Sequence, residues 1–600
     1  MSRTQMIFAG IIGLTLLVVC GAVAASLLVG GDDTTATATT ETDFTVPENV
    51  SGDAVLVTIA SSNTKQDWMN AAVEKFNNGG YTTADGRPIA ASVSHVTSGG
   101  SKDAILAGDL QPVAWSPGDP SWVDQANEEW KAQNQTTLGL TSQACQSTVY
   151  APLGFAMWRP MAEALGWPET PIGWNTLVEL AADSEGWANP KYDVKDGLGH
   201  PEWGQFRFGH THPQFANSGL LSMTGFVHGV VGTNGEQLTA AQVYEAEDAM
   251  RALEQVTSKY GRSSPNMLEL MTTQGPSFLH AVAVPEADVV KFNLERQAEL
   301  DLIMDGRGFA FIFPSGGTIW ADHPYCVLDN AEWVDEAEAE AGQIFFDFLM
   351  EEEQQSLAMD SYLRPLNTAI VRREPLTLEN GTDPTVSPDT ITPLPSPTEE
   401  VATAVIDLFL ITKRKATVIV VLDTSGSMRG ERISTATTAT VEFLERLNAD
   451  DEVTVMQFSD SSVQLAPPSR AGDVKETLAP RIRNLIADGN TALYDAVCQA
   501  TALVSDLQEE DLANGESRLY GIVLLSDGED TVGRPTENQM FATCLPSNAE
   551  ADGVKIFPIA FGEEADEAVL FRVAQVTGGA LFTANTQSIS SVYVAISAEQ

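Results

Sequence analysis

Six hundred residues exceed what one hydrophobic core organises, so the chain divides into two or three domains. Its 82 acidic against 33 basic residues leave a formal charge of −49, a field that repels nucleic-acid phosphates and so excludes nucleic acid as a partner. The same field suits an exported, highly soluble protein or a salt-adapted organism, and it concentrates divalent cations near the surface.

Residues 7–30 carry no charge, enough to cross a hydrocarbon layer of about 30 Å, and predict a transmembrane helix over 6–30. Arg3 precedes it and Asp32 and Asp33 follow, so the positive-inside tendency makes 1–5 a cytoplasmic tail and puts the bulk of the chain on the extracellular or periplasmic side of a single-pass anchor. A cleaved signal peptide ending near Ala22, Ala24 and Ala25 is the alternative, although the apolar run is longer than an ordinary signal core. Cys20 follows Val19, which is too large for a lipidation signal, and is read as membrane-buried. Residues 31–52, rich in Thr, Ala and acids, bury too little to order and predict a stalk.

From residue 53 the pattern becomes strand, cap, helix. VLVTIA (55–60) is followed by Ser61, Ser62 and Asn63 and then by Trp68, Ala72, Val73 and Phe76 at helical spacing. The same grammar returns at AASVSHV before Thr97–Ser101 and at PVAWSPGDPSW, where Ser116–Asp119 open a helix; strands alternating with helices mean a mainly parallel sheet. These turns, with GHTHPQFANSG (209–219), SGGTIWADHPYCVL (315–328) and the late helix around 342–360, resemble the type II solute-binding proteins of bacterial transport systems over 53–372.

The resemblance implies two α/β lobes over 53–374, a ligand cleft between them and two strand crossovers as hinge. Helix N-termini rich in Ser, Thr and Asn attract anions, so an oxyanion or carboxylate is the implied small-molecule ligand. Ser61, Ser98 and Ser116 are the implied contacts from one side, with Asn217, Ser218 and Thr318 from the other; ordinary N-capping is the plainer use of each turn. Cys145 and Cys326 lie near the two implied crossovers, where a disulfide is geometrically reasonable. His210 and His212 share a spacing suited to a transition metal but lack a third ligand and read as ordinary loop residues. Glu286 is either a cleft carboxylate or an exposed helix residue.

Six prolines between Pro375 and Pro397 interrupt any helix or central strand and predict a linker over 375–402. The last region, 403–600, opens on ATVIVV (416–421), a strand buried on both faces, which runs through Leu422 into Asp423-Thr424-Ser425-Gly426-Ser427. Two more stretches accompany this D-x-S-x-S: GNTALYDA (489–496) offers Thr491 before a helix, and GIVLLSDGED (521–530) offers Asp527 after another buried strand. Ligands of parallel sheets collect beyond the carboxyl ends of such strands. Further strands are predicted at 453–459, 554–561 and 580–584, with a helix over 432–447.

The three stretches resemble the metal-ion-dependent adhesion site of von Willebrand factor type A domains, over about 415–600. The resemblance implies a Mg²⁺ site, with Mn²⁺ or Ca²⁺ as possible substitutes, in which Ser425, Ser427 and Thr491 offer hydroxyls and Asp423 and Asp527 act through water. Few direct carboxylates leave the ion open to an Asp or Glu of a protein partner. Cys498 and Cys544 fall near this face; they form either a local disulfide or, like the other pair, buried free thiols.

The expected fold is therefore α/β: a two-lobed periplasmic-binding-protein type II domain, then a doubly wound Rossmann-like A domain, preceded by one transmembrane helix. The expected function is a membrane-anchored extracellular binding protein, gripping a protein partner through one site and a small anion through the other. A substrate receptor of an ABC-type transport system, with the A domain as a dock, is the alternative. No G-x-S-x-G, H-E-x-x-H or phosphate-loop motif occurs, so a hydrolase using Ser425 or Ser427 is not expected and the chain reads as a non-enzyme.

Overall fold

The computed structural model describes Phe44 and residues 53–597 except 215, 262, 368, 517, 546–552 and 563. Among the described residues no helix is long and apolar enough to cross a membrane. This corrects the fold-class expectation of a leading transmembrane helix, and with it the single-pass localisation and the membrane contact. The stretches that carried those expectations, 1–5 and 6–30, lie outside the described residues; of 31–52 only Phe44 is described, and it packs half-buried against the core of the first region.

Twelve strands shape the described first region: β1 (Val55–Ser61), β2 (Ile89–His95), β3 (Ala114–Ser116), β4 (Gln146–Ser147), β5 (Val149–Tyr150), β6 (Leu153–Trp158), β7 (Phe208–Thr211), β8 (Thr257–Gly261), β9 (Ala281–Pro285), β10 (Phe309–Ile312), β11 (Pro324–Val327) and β12 (Arg364–Pro365). They form two main sheets, β2-β1-β3-β11-β4 and β10-β6-β9-β7-β8, and a small β12-β5 pair. β1 runs parallel to β2 and β3, so each of the first strands must be followed by a returning helix, as the alternating sequence grammar requires. The helix Gln66–Gly79 turns Trp68, Met69, Ala72 and Phe76 inward at helical spacing and stops at Gly80, whose φ of 70° a side chain would disfavour.

The chain passes between the two sheets twice, and the two passages lie side by side. β4 pairs antiparallel with β11, and the ladder continues as Thr148 N donates to Asp322 O, Ala151 N to Ala321 O and Leu153 N to Ile319 O. Cys145 is bonded to Cys326 across this ladder, tying the two connections together.

The proline-rich stretch is ordered. Leu376 and Leu394 are buried, Phe311 N donates to Gly381 O at 2.7 Å, and Thr318 and Pro393 form a bridge, so 375–398 lies as a strap over the second sheet. Prolines lack the N–H that a ladder needs but suit an extended segment held by carbonyls and apolar side chains, which is why composition alone read a linker. The helix Glu399–Thr412 likewise buries Val401, Ala402, Ala404, Val405 and Leu408 in the core of the first region.

The last region is one sheet of β13 (Ala416–Asp423), β14 (Glu452–Phe458), β15 (Ser462–Gln464), β16 (Ser469–Arg470), β17 (Leu519–Ser526), β18 (Lys555–Phe561) and β19 (Phe582–Ala584). The order is β15-β14-β13-β17-β18-β19, with β16 also on β14; all neighbours are parallel except β15 and β16. Central β13 has no exposed face. Val418, Val420 and Leu422 point into a core with the helices Glu431–Arg446, Ala471–Arg483 and Ile589–Ser597, while Ile419 and Val421 point into a second core with Leu493–Asn514 and Glu567–Thr577. That alternation into two cores explains the unbroken apolar run.

Buried histidines make the first region acid-sensitive. Burial, then the Arg207 charge, pushes His280 down to about 3, and burial pushes His95 and His228 down to about 4. Nδ1 of His280 accepts from Trp187 Nε1 at 3.0 Å and from Arg207 N at 3.2 Å, bonds that a proton there would break. A folded pKa below the unfolded value near 6.5 means stability that is full above that value and lost as pH falls from it towards 4 and 3. Burial raises Asp119 to about 6 and Asp288 to about 7, and these act oppositely, adding stability only at the acid end. All 11 tryptophans precede residue 334, so tryptophan fluorescence reports this region alone. Its urea midpoint should fall between pH 7 and 4, with a shallower slope in His280→Gln, which keeps an acceptor; equal slopes would contradict the role given to His280.

Candidate functional site

β13 ends at Asp423, which is fully buried although the chain turns outward directly after it. One carboxylate oxygen accepts from Ser425 N at 2.8 Å and the other from Ser526 Oγ at 2.7 Å, so the neighbouring strand β17 fixes its orientation. Ser425 Oγ lies 3.0 Å from Ser427 Oγ, and Ser427 Oγ donates to Asp527 Oδ1 at 2.7 Å. Asp527, also buried, accepts from Arg432 Nη1 at 2.8 Å through its second oxygen, and the same nitrogen lies 3.3 Å from Glu564.

Thr491 arrives on the adjoining loop. Gly426 N donates to Gly489 O at 3.0 Å, and a Cβ on residue 426 would stand 3.3 Å from that carbonyl, so glycine permits the close approach. Thr491 is 5% exposed, its N donating to Thr531 Oγ1 at 2.8 Å and its carbonyl accepting from Thr531 N at 2.9 Å. The disulfide Cys498–Cys544 staples the helix that follows this loop to the segment that follows Asp527.

Asp423, Ser425, Ser427, Thr491 and Asp527 thus stand at one end of one sheet, the carboxyl end of β13 and β17. Burial, reinforced by the Asp527 charge, pushes Asp423 up to about 6 against the hydrogen bonds of Ser425 and Ser526. Two buried carboxylates with hydroxyls between them make a negative, oxygen-lined place. Adjacent ligands of an octahedral Mg²⁺, with bonds near about 2.1 Å, stand about 3.0 Å apart. The Ser425–Ser427 separation of 3.0 Å suits neighbouring vertices, the 2.7 Å bond from Ser427 holds the Asp527 carboxylate beside them, and all donors are hard oxygens, so the residues fit such an ion. Among the described residues no group of three or more His, Cys, Asp or Glu is arranged to hold a metal, and this oxygen set holds two carboxylates. All seven histidines precede residue 324, so Ser425 and Ser427 have no histidine in their own region to act as base.

Sequence reasoning missed two residues here, Ser526 and Arg432. Ser526 precedes Asp527 directly and was hidden in the strand run; Arg432 reads as a helix-surface cation until the helix is seen to start beside the site.

In the first region Ser98 and Asn217 converge across the turn at 117–119. Ser98 Oγ accepts from Gly118 N at 3.0 Å, and Asn217 Oδ1 accepts from Trp122 Nε1 at 2.5 Å. A Cβ on Gly118 would fall 2.8 Å from Asn217 Nδ2 and 3.3 Å from Ser98 Oγ, so a side chain there would push the Asn217 amide aside. Ser396 of the strap closes the same side, donating to the buried Asp119 at 2.6 Å. The other expected contacts are engaged elsewhere: Ser116 Oγ donates to Pro324 O, Thr318 Oγ1 to Leu153 O, and Ser218 joins Thr211 and Ser264 in a hydroxyl cluster. Ser61 Oγ reaches only its neighbour's carbonyl, Ser62 O, at 3.4 Å.

The residue that sequence reasoning passed over is Lys65. It is 1% exposed, and its Nζ donates to Ser62 Oγ at 3.0 Å, Ser116 O at 2.7 Å and Pro117 O at 3.3 Å, with His323 Nδ1 at 3.2 Å. Every one of these partners is uncharged or a backbone carbonyl, and burial holds the lysine well below its ordinary range. His323 and Ala321 both take left-handed backbone, φ 37° and 38°, a strain that accompanies functional turns.

The histidine pair and Glu286 have structural partners. His210 Nε2 meets Glu254 at 3.1 Å, and Glu254 also accepts from Tyr260 at 2.6 Å; His212 packs on Phe409. Glu286 is buried in a two-pronged ion pair with Arg364, neither a cleft carboxylate nor an exposed one.

Residues 418–529 match the family model of the von Willebrand factor type A domain. Curated relatives include inter-alpha-trypsin inhibitor heavy chain H4 of Sus scrofa, 29% identical over 163 residues covering 27% of this chain and 17% of that protein. The Homo sapiens protein of that name is 31% identical over 175 residues, 28% and 18% of the two chains, so this chain spans less than a fifth of the length of these relatives. Among solved structures, the periplasmic binding protein AfuA from Actinobacillus pleuropneumoniae is 14% identical with a TM-score of 0.39, covering 60% of this chain and 99% of that one. A von Willebrand factor type A protein from Catenulispora acidiphila is 18% identical with a TM-score of 0.27, covering 31% and 42%. The last region therefore contains a von Willebrand factor type A domain, and periplasmic binding proteins are among the chain's structural neighbours.

Proposed function

We propose that, with a von Willebrand factor type A domain as its last region, this chain is a binding protein that holds a protein partner through a divalent cation at the carboxyl end of β13. The observation that carries the reading is the continuous oxygen chain Ser425–Ser427–Asp527, assembled from two stretches 100 residues apart and braced by Asp423. Ser425, Ser427 and Thr491 would hold Mg²⁺, or Mn²⁺ or Ca²⁺ in its place, by hydroxyl oxygens, with Asp423 and Asp527 neutralising it from beneath. A bound cation supplies an electrophilic position that an Asp or Glu carboxylate of the partner completes. The chain's own task is to orient: Ser526 fixes Asp423, and the Gly426–Gly489 bond holds Thr491 against the serine loop.

Calorimetric titration of the full chain with Mg²⁺ and, by electron paramagnetic resonance, with Mn²⁺ tests this reading. One saturable site per chain is expected, and its absence for both ions would end the proposal.

A second site is favoured by Lys65. An ammonium stripped of water and facing only neutral groups gains most from an anion, so the first region is assigned a small oxyanion or carboxylate between Lys65, Ser98 and Asn217. Sulfate, phosphate and short carboxylates should raise the tryptophan-monitored melting temperature of the parent and not of Lys65→Met; no shift with any of them would remove the site.

A further inference from the structure

Where the two regions meet, a cavity of about 710 Å³ opens between the helix Glu247–Gln255, the segment 410–415, the turn 446–451 and the stretch before β17. Six cations line it: Arg251, Lys413, Arg414, Lys415, Arg446 and Arg518. Six of the chain's 33 basic residues thus face one space, against three acidic side chains there, a surplus of three in a molecule of formal charge −49. It lies at the amino ends of β13 and β17, so the eight residues of β13 separate it from Asp423 by roughly 25 Å at about 3.3 Å each.

Ion pairs with neighbouring carboxylates account for part of this set. Lys413 pairs with Asp451 at 3.7 Å, Arg251 with Glu247 at 2.8 Å, and Arg518 with Glu516 at 3.2 Å and with Glu452 and Asp511 at 3.7 Å. Asp451 is further committed to backbone, accepting from Ala416 N at 2.8 Å and Asn448 N at 3.0 Å, and Asp450 is turned to Arg470 outside the cavity. Lys415 and Arg446 are exposed on the rim, and neither is in an ion pair among the described residues. Arg518 is 7% exposed, and its Nε lies 3.7 Å from Asp511 Oδ2. The rim cations Lys415 and Arg446 are therefore the charge that the seam presents to an arriving anion.

We infer that this seam is a binding site for a small oligoanion, a ligand with two or more phosphate-like or carboxylate groups, held between the first region and the A domain. The volume lies in the range of small-ligand sites. The guanidinium of Arg446 suits a two-pronged bond to such a group, and Arg251, which pairs with Glu247 at 2.8 Å, faces the same space from the first region, so the ligand bridges regions that also meet at contacts such as Asn448 Nδ2 to Leu410 O at 3.0 Å. This site is independent of the cation site and of the Lys65 cleft.

The test titrates the full chain with tripolyphosphate, citrate and orthophosphate at physiological ionic strength without divalent cations, followed calorimetrically. One saturable site is expected for tripolyphosphate or citrate, at least tenfold tighter than for orthophosphate. The double variant Lys415→Glu, Arg446→Glu changes only rim side chains and should weaken binding at least tenfold with an unchanged melting temperature. Binding that is absent, equal for orthophosphate, or undiminished in the double variant overturns the inference. So does binding that survives in the double variant and disappears in Ser98→Ala, which would place the ligand in the cleft.

Discussion

Replacing Arg364 with alanine is expected to lower the unfolding free energy of the first region by about 3–5 kcal/mol, the cost of stranding a buried carboxylate. Arg364 is fully buried; its Nε and Nη2 donate to the two oxygens of Glu286 at 2.6 and 2.7 Å. Nη2 also donates to Asp383 O at 2.9 Å and Nη1 to Val386 O, while Thr382 Oγ1 donates to Glu286. One arginine therefore fastens the strap, the start of the helix Glu286–Glu295 and β12 together. Without it the Glu286 carboxylate keeps one side-chain hydrogen bond, from the Thr382 hydroxyl, and the more distant charge of Arg372, and the strap loses two of its carbonyl contacts. The compensating double variant Arg364→Met, Glu286→Leu removes both charges and should recover most of the loss, because the pair is worth little beyond its own desolvation. Tryptophan fluorescence in urea measures both, since all 11 tryptophans lie in this region. A loss under about 1 kcal/mol for the single variant would mean that Glu286 finds water or a proton there, and the strap's fastening would have to lie elsewhere.

That ion pair also marks the boundary of what the sequence discloses. β13 was legible because eight residues buried on both faces leave an unbroken apolar run, and the loop after it because Asp, Ser and Gly there end the strand and offer oxygens. Parallel topology then forces the ends of β13 and β17 to one side, so Asp527 could be placed near Asp423 from strand order alone. Glu286 and Arg364 stand 78 residues apart on elements of different kinds, and no periodicity links them. Lys65 was hidden for a related reason: a lysine in a turn reads as solvated, and its burial is set by Ser116, Pro117 and His323, contributed by later segments. The strap was misread because proline signals the end of regular structure, not the end of packing. The cationic seam is a property of neither region by itself, since its residues come from 251, 413–415, 446 and 518.

Asp527→Ala is expected to abolish Mn²⁺ binding, a change beyond the roughly 10–100-fold that loss of an outer partner brings to a metal site. Asp527 accepts from Ser427 at 2.7 Å on one oxygen and from Arg432 at 2.8 Å on the other, so its removal takes away both a charge and the anchor of the serine loop. Arg432 should behave in the opposite sense. Its guanidinium neutralises Asp527 and would repel an arriving cation; a divalent ion and a unit charge at about 5 Å with an effective dielectric near 20 repel by about 7 kcal/mol before screening. The side chain is 33% exposed and shares its charge with Glu564, so only part of that repulsion survives. Arg432→Ala should therefore bind Mn²⁺ several-fold more tightly than the parent, with the gain shrinking as salt rises. This pair of opposite shifts separates a cation site from a merely structural hydrogen-bond cluster, in which both variants would loosen the same loop and neither would gain affinity. Tighter binding in Asp527→Ala, or weaker binding in both, would show that the oxygen chain at the end of β13 serves the fold and not an ion.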